Sequence, residues 1–162
     1  MREAMARRID YYDDPQAPKA NSLVPSVNVL VVNDRDEVLL IRRTDNGNWA
    51  APGGAIDLGE SVPEAAIRET REETGIICEI VGISGIYSDP RHLIHYTSDG
   101  EVRQEFSIVL TARAVSGEPT PSSESREVHW IPKAELERYQ MDRSMRLRIG
   151  HYLDEGASPH IG

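Results

Sequence analysis

Residues 53–76 decide the fold of this chain, and they read GGAIDLGESVPEAAIRETREETGI. Ser61 and Glu64 have the S-x-x-E spacing of a capping box, in which the two side chains satisfy free backbone amides at a helix start. Good helix formers follow, and Gly75 stands where a left-handed C-terminal cap is needed. The stretch therefore predicts a glycine-rich loop followed by a helix over Val62–Thr74.

Segments on both sides of this helix have the composition of β-strands. Aliphatic and β-branched residues at 27–32 and 37–41, with turn formers at 33–36 between them, predict a β-hairpin. Further strands are predicted at 76–87, 102–114 and 128–131, a short helix at 132–138, and a terminal helix whose apolar stripe packs on the sheet (Met145, Ile149, Tyr152 and Leu153). We expect an α/β fold on a mixed sheet, with an arm at 1–25, one domain at 26–156 and a tail at 157–162.

Length and composition limit the function. The 162 residues suffice for one domain, and 18 Lys plus Arg against 27 Asp plus Glu give a net charge of -9, which argues against nucleic-acid binding. No stretch approaches the roughly 20 apolar residues of a membrane span. Cys78 is the only cysteine, so an intramolecular disulfide and a multi-thiolate zinc site are excluded. We expect a cytoplasmic protein with no nucleic-acid or membrane partner.

Three carboxylates converge on the predicted helix. Glu69, Glu72 and Glu73 stand at i, i+3 and i+4, so their side chains leave one face. Like charges at this spacing cost about 0.2–0.5 kcal/mol per pair, which a bound cation would offset. Magnesium binds a few carboxylates and accepts phosphate oxygens as further ligands. Gly53 and Gly54 would let the backbone approach a metal or phosphate closely.

A plainer interpretation is a solvated acidic face. Arg68 is spaced i+4 from Glu64 and i-4 from Glu72, so it can form ion pairs along the helix surface. For an isolated E-x-x-E-E run this interpretation would be favoured. The glycine-rich loop before the helix favours a metal site instead.

The full pattern is Gly54-x5-Glu60-x7-Arg68-Glu69-Thr70-x-Glu72-Glu73-x-Gly75-Ile76. It resembles the complete signature box of the Nudix hydrolases, except that Thr70 stands where an aliphatic residue is usual. The resemblance implies an α/β/α sandwich that hydrolyses a diphosphate linked to another group X, with Mg2+ or Mn2+. It also implies roles for particular residues: Glu69, Glu72, Glu73 and the Gly53 carbonyl as metal ligands, Arg68 as the residue orienting the acids, and Glu60 as their support.

Residues outside the box are candidates for the remaining roles. Glu124, in a turn six residues before Trp130, is the first candidate for the general base, and Glu105 is the second. Alternation places Arg103 and Glu105 on one strand face, where they either pair with each other or bind substrate. Family resemblance favours Arg43 and Gly54 for phosphate.

The remaining aromatic and imidazole side chains have two interpretations each. His92 and His95 lie in a segment that reads as a loop, and without a third ligand they are structural or substrate-facing rather than a metal site. Trp49, Tyr87 and Phe106 either belong to the core, which is commoner, or stack on a nucleobase.

The predicted substrate is a small nucleoside diphosphate derivative of the ADP-ribose or nucleotide-sugar type. Two alternatives remain: a nucleoside triphosphate pyrophosphohydrolase of the 8-oxo-dGTP diphosphatase type, and a non-catalytic Nudix-like regulator, for which a broken box would be expected. The arm, through Tyr11, Tyr12, Leu23 and Val24, either crosses to a second subunit in a homodimer or packs on its own domain.

Overall fold

The computed structural model describes residues 7–154 and 158–162. The α-helices are α1 (Val62–Thr74) and α2 (Arg143–Leu153), and a 3-10 helix spans Lys133–Arg138. In chain order the strands are β1 (Arg8–Tyr12), β2 (Ser22–Leu23), β3 (Ser26–Val32), β4 (Glu37–Arg43), β5 (Trp49–Ala50), β6 (Gly53–Ala55), β7 (Ile77–Tyr87), β8 (His92–Tyr96), β9 (Glu101–Gln104), β10 (Ser107–Ser116), β11 (Ser125–Pro132) and β12 (His160–Ile161).

The larger sheet is mixed and has the order β11-β4-β3-β10-β7-β12, with β5 on β4 and β6 on β3. Strand β3 lies inside it, antiparallel to β4 and parallel to β10. Its residues Val29 to Val31 are fully buried, as expected of an aliphatic strand covered on both faces. Helices packed against this mixed sheet confirm the predicted α/β class. The antiparallel pairing of β3 with β4 confirms the predicted hairpin.

Helix α1 has the predicted limits because both predicted caps form. The Ser61 amide donates to Glu64 Oε2 at 2.8 Å, and the Glu64 amide donates to Ser61 Oγ at 3.3 Å. Gly75 ends the helix with φ of 76°, a left-handed conformation that favours glycine. Ala65 and Ala66 are fully buried. Short side chains therefore let α1 approach the sheet closely.

The predicted strand at 102–114 is in fact two strands in different sheets. The chain leaves β9 at Glu105, whose amide donates to the His92 carbonyl at 3.1 Å, and joins the larger sheet where the Ser26 amide donates to the Phe106 carbonyl at 2.9 Å. The smaller sheet has the order β1-β8-β9-β2. The uniform strand composition of this segment hid the change of partner.

The arm and the histidine segment were both predicted without regular structure, and both contain strands. Strand β1 pairs antiparallel with β8, from Arg8 opposite Tyr96 to Tyr12 opposite His92. The pairing joins residues 80 to 88 positions apart, so no local pattern indicates it. The arm thus packs on its own chain at β1; its first six residues lie outside the described part.

The C-terminal region follows the predicted helices closely. Met145 and Ile149 of α2 are buried, and Tyr152 and Leu153 pack against the core. After it, β12 pairs parallel with β7. The predicted boundary between domain and tail falls in residues 155–157, outside the described residues. No helix within 7–154 or 158–162 is long and apolar enough to span a membrane.

Candidate active site

Helix α1, the glycine loop and the turn before β11 meet at a cavity of about 340 Å³. Most of the predicted site residues lie around it. Those lining it are Arg43, Gly53, Gly54, Glu73, Arg103, Glu105 and Glu124. Helix periodicity and strand ends thus bring together residues that lie far apart in the chain.

Arg68 holds the acidic residues of the box in place. Its guanidinium donates to Glu60 at 2.6 and 2.8 Å, to Glu69 at 2.9 Å and to Glu72 at 3.2 Å. It also donates to the Ala55 carbonyl at 3.2 Å. The hydrogen bonds from Arg68 lower the pKa of Glu60 to about 2. The flat fork of an arginine serves several oxygens at fixed angles, which a lysine cannot do.

The two loop glycines let the backbone touch these carboxylates. The Gly53 amide donates to Glu73 Oε2 at 2.9 Å. A Cβ on Gly53 would lie 2.0 Å from the Val27 carbonyl oxygen, and one on Gly54 would lie 2.6 Å from Glu69 Oε1. Any side chain at either position would therefore displace the strand or the acid.

We call Glu69, Glu73 and Glu124 the carboxylate cluster. Burial, together with the negative charges of Glu69 and Glu124, raises the pKa of Glu73 to about 8, although the Gly53 amide acts in the opposite direction. Burial also raises the pKa of Glu69. Among the three acids on α1, Glu69, Glu72 and Glu73, only Glu72 is exposed, and it pairs with Arg68. The fully solvated acidic helix face of the plainer interpretation therefore does not form.

Glu124 comes next to Glu73 because its turn is tied on two sides. The Thr44 amide donates to the Glu124 carbonyl at 3.3 Å, and Ser125 Oγ donates to the Glu73 carbonyl. The side chain of Glu124 is exposed and lines the cavity, and its negative charge helps to raise the pKa of Glu73. Two neighbouring carboxylates repel each other unless a proton or a cation lies between them.

The donor set of the carboxylate cluster suits a hard divalent cation, since it offers only oxygen atoms. Burial is the main cause of the raised pKa values of Glu69 and Glu73, and neighbouring carboxylates raise them further. A bound cation would act in the opposite direction. As the side chains stand, no group of three His, Cys, Asp or Glu in the described ranges has the arrangement of a metal centre. Glu72, turned to Arg68, is the predicted ligand farthest from such a role.

Four arginines line the same cavity: Arg8, Arg43, Arg103 and Arg148. We call them the arginine cluster. Sequence reasoning missed Arg8 and Arg148, and also Asn28, Tyr96, Asp142 and Ser144 on the same walls. An Arg two positions from an acid recurs at Arg8, Arg43 and Arg103, but Arg91 has the same spacing outside this cavity. That signal alone would not have identified the site.

Arg103 and Glu105 do not pair with each other. Arg103 bonds Glu101 at 2.9 and 3.0 Å and lies over the Tyr96 ring. Glu105 is buried, accepts from Ser107 and lies 3.6 Å from Arg148. Their strand breaks between them, so each finds a partner in its own sheet. Both remain on the cavity wall.

The aromatic candidates lie elsewhere. Trp49 packs against Tyr139 and His129, with ring centroids 5.1 and 5.5 Å apart, and Tyr87 stacks with His151 and His160. Neither they nor Phe106 line the cavity, whereas Tyr96 does. His92 is buried and bonds Asp10 at 3.0 Å. The aromatic side chain on the cavity wall is therefore Tyr96, which the sequence analysis did not single out.

Comparison with known proteins agrees with this site. The family model of the NUDIX domain matches residues 22–149, which include the box and the cavity walls except for Arg8. The chain belongs to the NUDIX hydrolase family.

Two curated relatives and one solved structure give the scale of the likeness. A "MutT-like protein" of Streptomyces ambofaciens is 34% identical over 93% of this chain and 90% of its own. An "ADP-ribose pyrophosphatase" of Methanocaldococcus jannaschii is 33% identical over 74% of this chain and 69% of its own. The crystal structure of a MutT protein from Methanosarcina mazei covers 84% of this chain and 96% of that one, with a TM-score of 0.64 at 26% identity.

Proposed function

We propose that this NUDIX hydrolase cleaves the diphosphate bond of a nucleoside diphosphate linked to a group X, of the ADP-ribose or nucleotide-sugar type. One observation carries the proposal: Glu73 and Glu124 of the carboxylate cluster line the same cavity as the arginine cluster. The first suits divalent cations and the second suits phosphate oxygens. A diphosphate with a second moiety matches that division.

Glu69, Glu72, Glu73 and the carbonyl of Gly53 are the groups that would hold Mg2+ or Mn2+. Such an ion, when bound, neutralises phosphate charge and lowers the pKa of a coordinated water. Arg68 keeps Glu69 and Glu72 apart and oriented through its hydrogen bonds. The protein's own contribution is thus to concentrate oxygen donors at one end of the cavity.

Glu124 is the proposed general base. Its carboxylate faces the cavity and lies against Glu73, so it can accept a proton from a water attacking phosphorus there. Glu105 is the weaker candidate because it is buried, hydrogen-bonded to Ser107 and close to Arg148. A proton acceptor needs a lone pair directed at the water, and Glu105 already uses one oxygen elsewhere.

Substrate contacts are assigned to the walls beyond the metal end. In this proposal Arg43 and the backbone of Gly54 bind phosphate oxygens, and Arg103 and Glu105 contact the substrate from the same cavity wall. The relative named as an ADP-ribose pyrophosphatase supports this class. A relative of Bacillus subtilis named as a putative 8-oxo-dGTP diphosphatase, 43% identical over 63 residues, supports a nucleoside triphosphate as the second candidate.

We place this reaction in the cytoplasm, where the buried free thiol of Cys78 would remain reduced. A homodimer stays a proposal. Leu23 of the arm is exposed, while β1 packs on its own chain. Light scattering of the chain with and without residues 1–25 tests it, since a dimer held by the arm becomes a monomer without it.

Phosphate release in a phosphatase-coupled assay tests the proposal. The panel contains ADP-ribose, nucleotide sugars, and canonical and oxidised nucleoside triphosphates, with magnesium, for the wild type, Glu73→Gln and the exposed-surface control Glu118→Gln. We expect turnover of a nucleoside diphosphate derivative that only Glu73→Gln abolishes. Turnover of triphosphates alone would select the second candidate. Binding without turnover of any compound would indicate the non-catalytic regulator.

A further inference from the structure

Three members of the arginine cluster each form an ion pair with a carboxylate. Arg8 bonds Asp10 through Nε at 2.9 Å and Nη2 at 3.3 Å. Arg103 bonds Glu101 in the same two-point manner. Neither Asp10 nor Glu101 lines the cavity. In each pair the carboxylate uses Nε and Nη2, so the Nη1 amino group is not engaged by it.

Arg43 makes the same contact with Asp45, through Nε at 2.9 Å and Nη2 at 2.7 Å. Here the partner acid also lies on the cavity wall. Arg43, Arg8 and Arg103 come from the end of β4, from β1 and from β9. Three elements of two sheets thus present guanidinium groups to one space.

These three guanidinium groups repel one another. The hydrogen bonds to Asp45 raise the pKa of Arg43, while burial and the positive charge of Arg8 lower it. Burial lowers the pKa of Arg103, Glu101 more than offsets that, and the charge of Arg8 again lowers it. Arg8 therefore lies within electrostatic reach of both. An anion among them would replace repulsion with attraction.

Arg148 provides a second, independent observation that points to ligand binding at this cavity wall. Its side chain is 7% exposed, and its Nε atom has no hydrogen-bond partner among the described residues. A buried donor without an acceptor costs about 1–3 kcal/mol, so natural structures keep few of them. Arg148 lines the same cavity as the other three.

We propose that Arg8, Arg43 and Arg103 form a phosphate-binding subsite, and that the N-terminal strand thereby supplies a substrate-binding residue, Arg8. Three separate guanidinium groups suit a phosphate better than a carboxylate, because a phosphate carries more negative charge and more acceptor oxygens, which point in more directions. The choice of a phosphate of the substrate rests on the proposed function; the subsite itself rests on the geometry.

The strand that carries Arg8 is fixed in place. Asp10 accepts from His92 Nε2 at 3.0 Å as well as from Arg8, and Tyr12 stacks on His92 with ring centroids 4.4 Å apart. Backbone pairing with β8 adds five register positions. Arg8 therefore meets a ligand with little rearrangement, which favours affinity.

Calorimetric titration with inorganic pyrophosphate in EDTA tests the subsite without requiring hydrolysis. We expect binding by the wild type and about tenfold or greater weakening in Arg8→Gln, the effect of losing one charge-assisted contact. Arg91→Gln is the matched control, since Arg91 bonds Asp89 in the same two-point manner but is 66% exposed and lies outside this cavity. It should bind as the wild type does.

Arg8→Lys separates binding from support of the fold. Lysine keeps the charge but lacks the fork, so it should recover part of the affinity at a wild-type Tm, whereas a structural defect would not follow charge. No pyrophosphate binding by the wild type, or equal affinity in the wild type, Arg8→Gln and Arg8→Lys, would overturn the proposal. Pyrophosphate binding without turnover of any panel compound would refute the proposed function and leave the subsite standing.

Discussion

Two members of the carboxylate cluster, Glu73 and Glu124, line the same cavity as the arginine cluster, but the two clusters are built in opposite ways. Glu69 and Glu73 lie four residues apart on α1, and only Glu124 joins them from elsewhere. The arginines come from segments that span nearly the whole described chain, from Arg8 to Arg148. One is a local motif, and the other exists only after folding.

The two clusters also differ in whether their charges are balanced within the chain. Burial and neighbouring carboxylates raise the pKa values of Glu69 and Glu73, so a cation from solution would favour their ionised forms. Arg8, Arg43 and Arg103 each have a carboxylate partner within the chain. The comparison indicates that the carboxylate cluster is suited to binding a catalytic cation. The arginine cluster, whose side chains are already held in position, is suited to binding substrate.

The strongest test of this contrast is Glu73→Gln. We expect kcat to fall on the order of 10²- to 10³-fold, as when one charge-stabilising group is removed from an active site. Tm should hold or rise, because a neutral amide replaces a buried acid beside two others and can still accept from Gly53. Steady-state kinetics and thermal unfolding measure both. A variant with wild-type kcat would remove Glu73 from the catalytic site.

Arg68→Lys tests the comparison from the side of the carboxylate cluster, because Arg68 hydrogen-bonds Glu69 of that cluster. We expect kcat to fall about 10- to 100-fold, since lysine cannot hold Glu60, Glu69 and Glu72 at once. Addition of excess magnesium should restore part of the activity if the loss is in metal affinity. Equal kinetics for lysine and arginine here would show that charge alone matters.

Gly53→Ala tests the close approach of the loop to the strand. The new Cβ would meet the Val27 carbonyl oxygen at 2.0 Å and Asn28 Nδ2 at 2.7 Å. We expect a loss of about 3 kcal/mol in the free energy of unfolding, measured in urea. Gly150→Ala is the control with the opposite sign: nothing lies within 4 Å of a Cβ there, and alanine in a helix gains about 1 kcal/mol. Equal effects would contradict the packing described.

Asp10→Asn gives the smallest effect and depends on pH. Burial raises the pKa of Asp10, but the hydrogen bonds from His92 and Arg8 outweigh it and hold that pKa well below its usual range. The unfolded-state pKa is about 3.9, so the carboxylate stabilises the fold above that pH, and the contribution fades as pH falls toward the lower folded value.

Unfolding in urea at several pH values measures this contribution. At pH 7 we expect Asp10→Asn to lose about 2 kcal/mol, and the difference from the wild type to shrink progressively below pH 4. A difference that grows on acidification would show that Asp10 is protonated in the folded protein.

Local patterns predicted well wherever the determining contacts are local. The capping box of Ser61 and Glu64 and the cap at Gly75 fixed the limits of α1, because each cap is made within a few residues. The strand break at Glu105 and the pairing of β1 with β8 were missed, since both depend on partners more than ten positions away. Glu124 was named as a base candidate from its turn, but its contact with Glu73 needed the tertiary structure.

By itself, the sequence determined the family, the helix and the row of acids on it, because 3.6 residues per turn convert spacing directly into a shared face. Only the tertiary structure decided which basic groups meet those acids. Arg8, Arg103 and Arg148 converge through sheet pairing and helix packing between distant segments. Pairing partners are selected by the global burial of apolar faces, which no short stretch of sequence encodes.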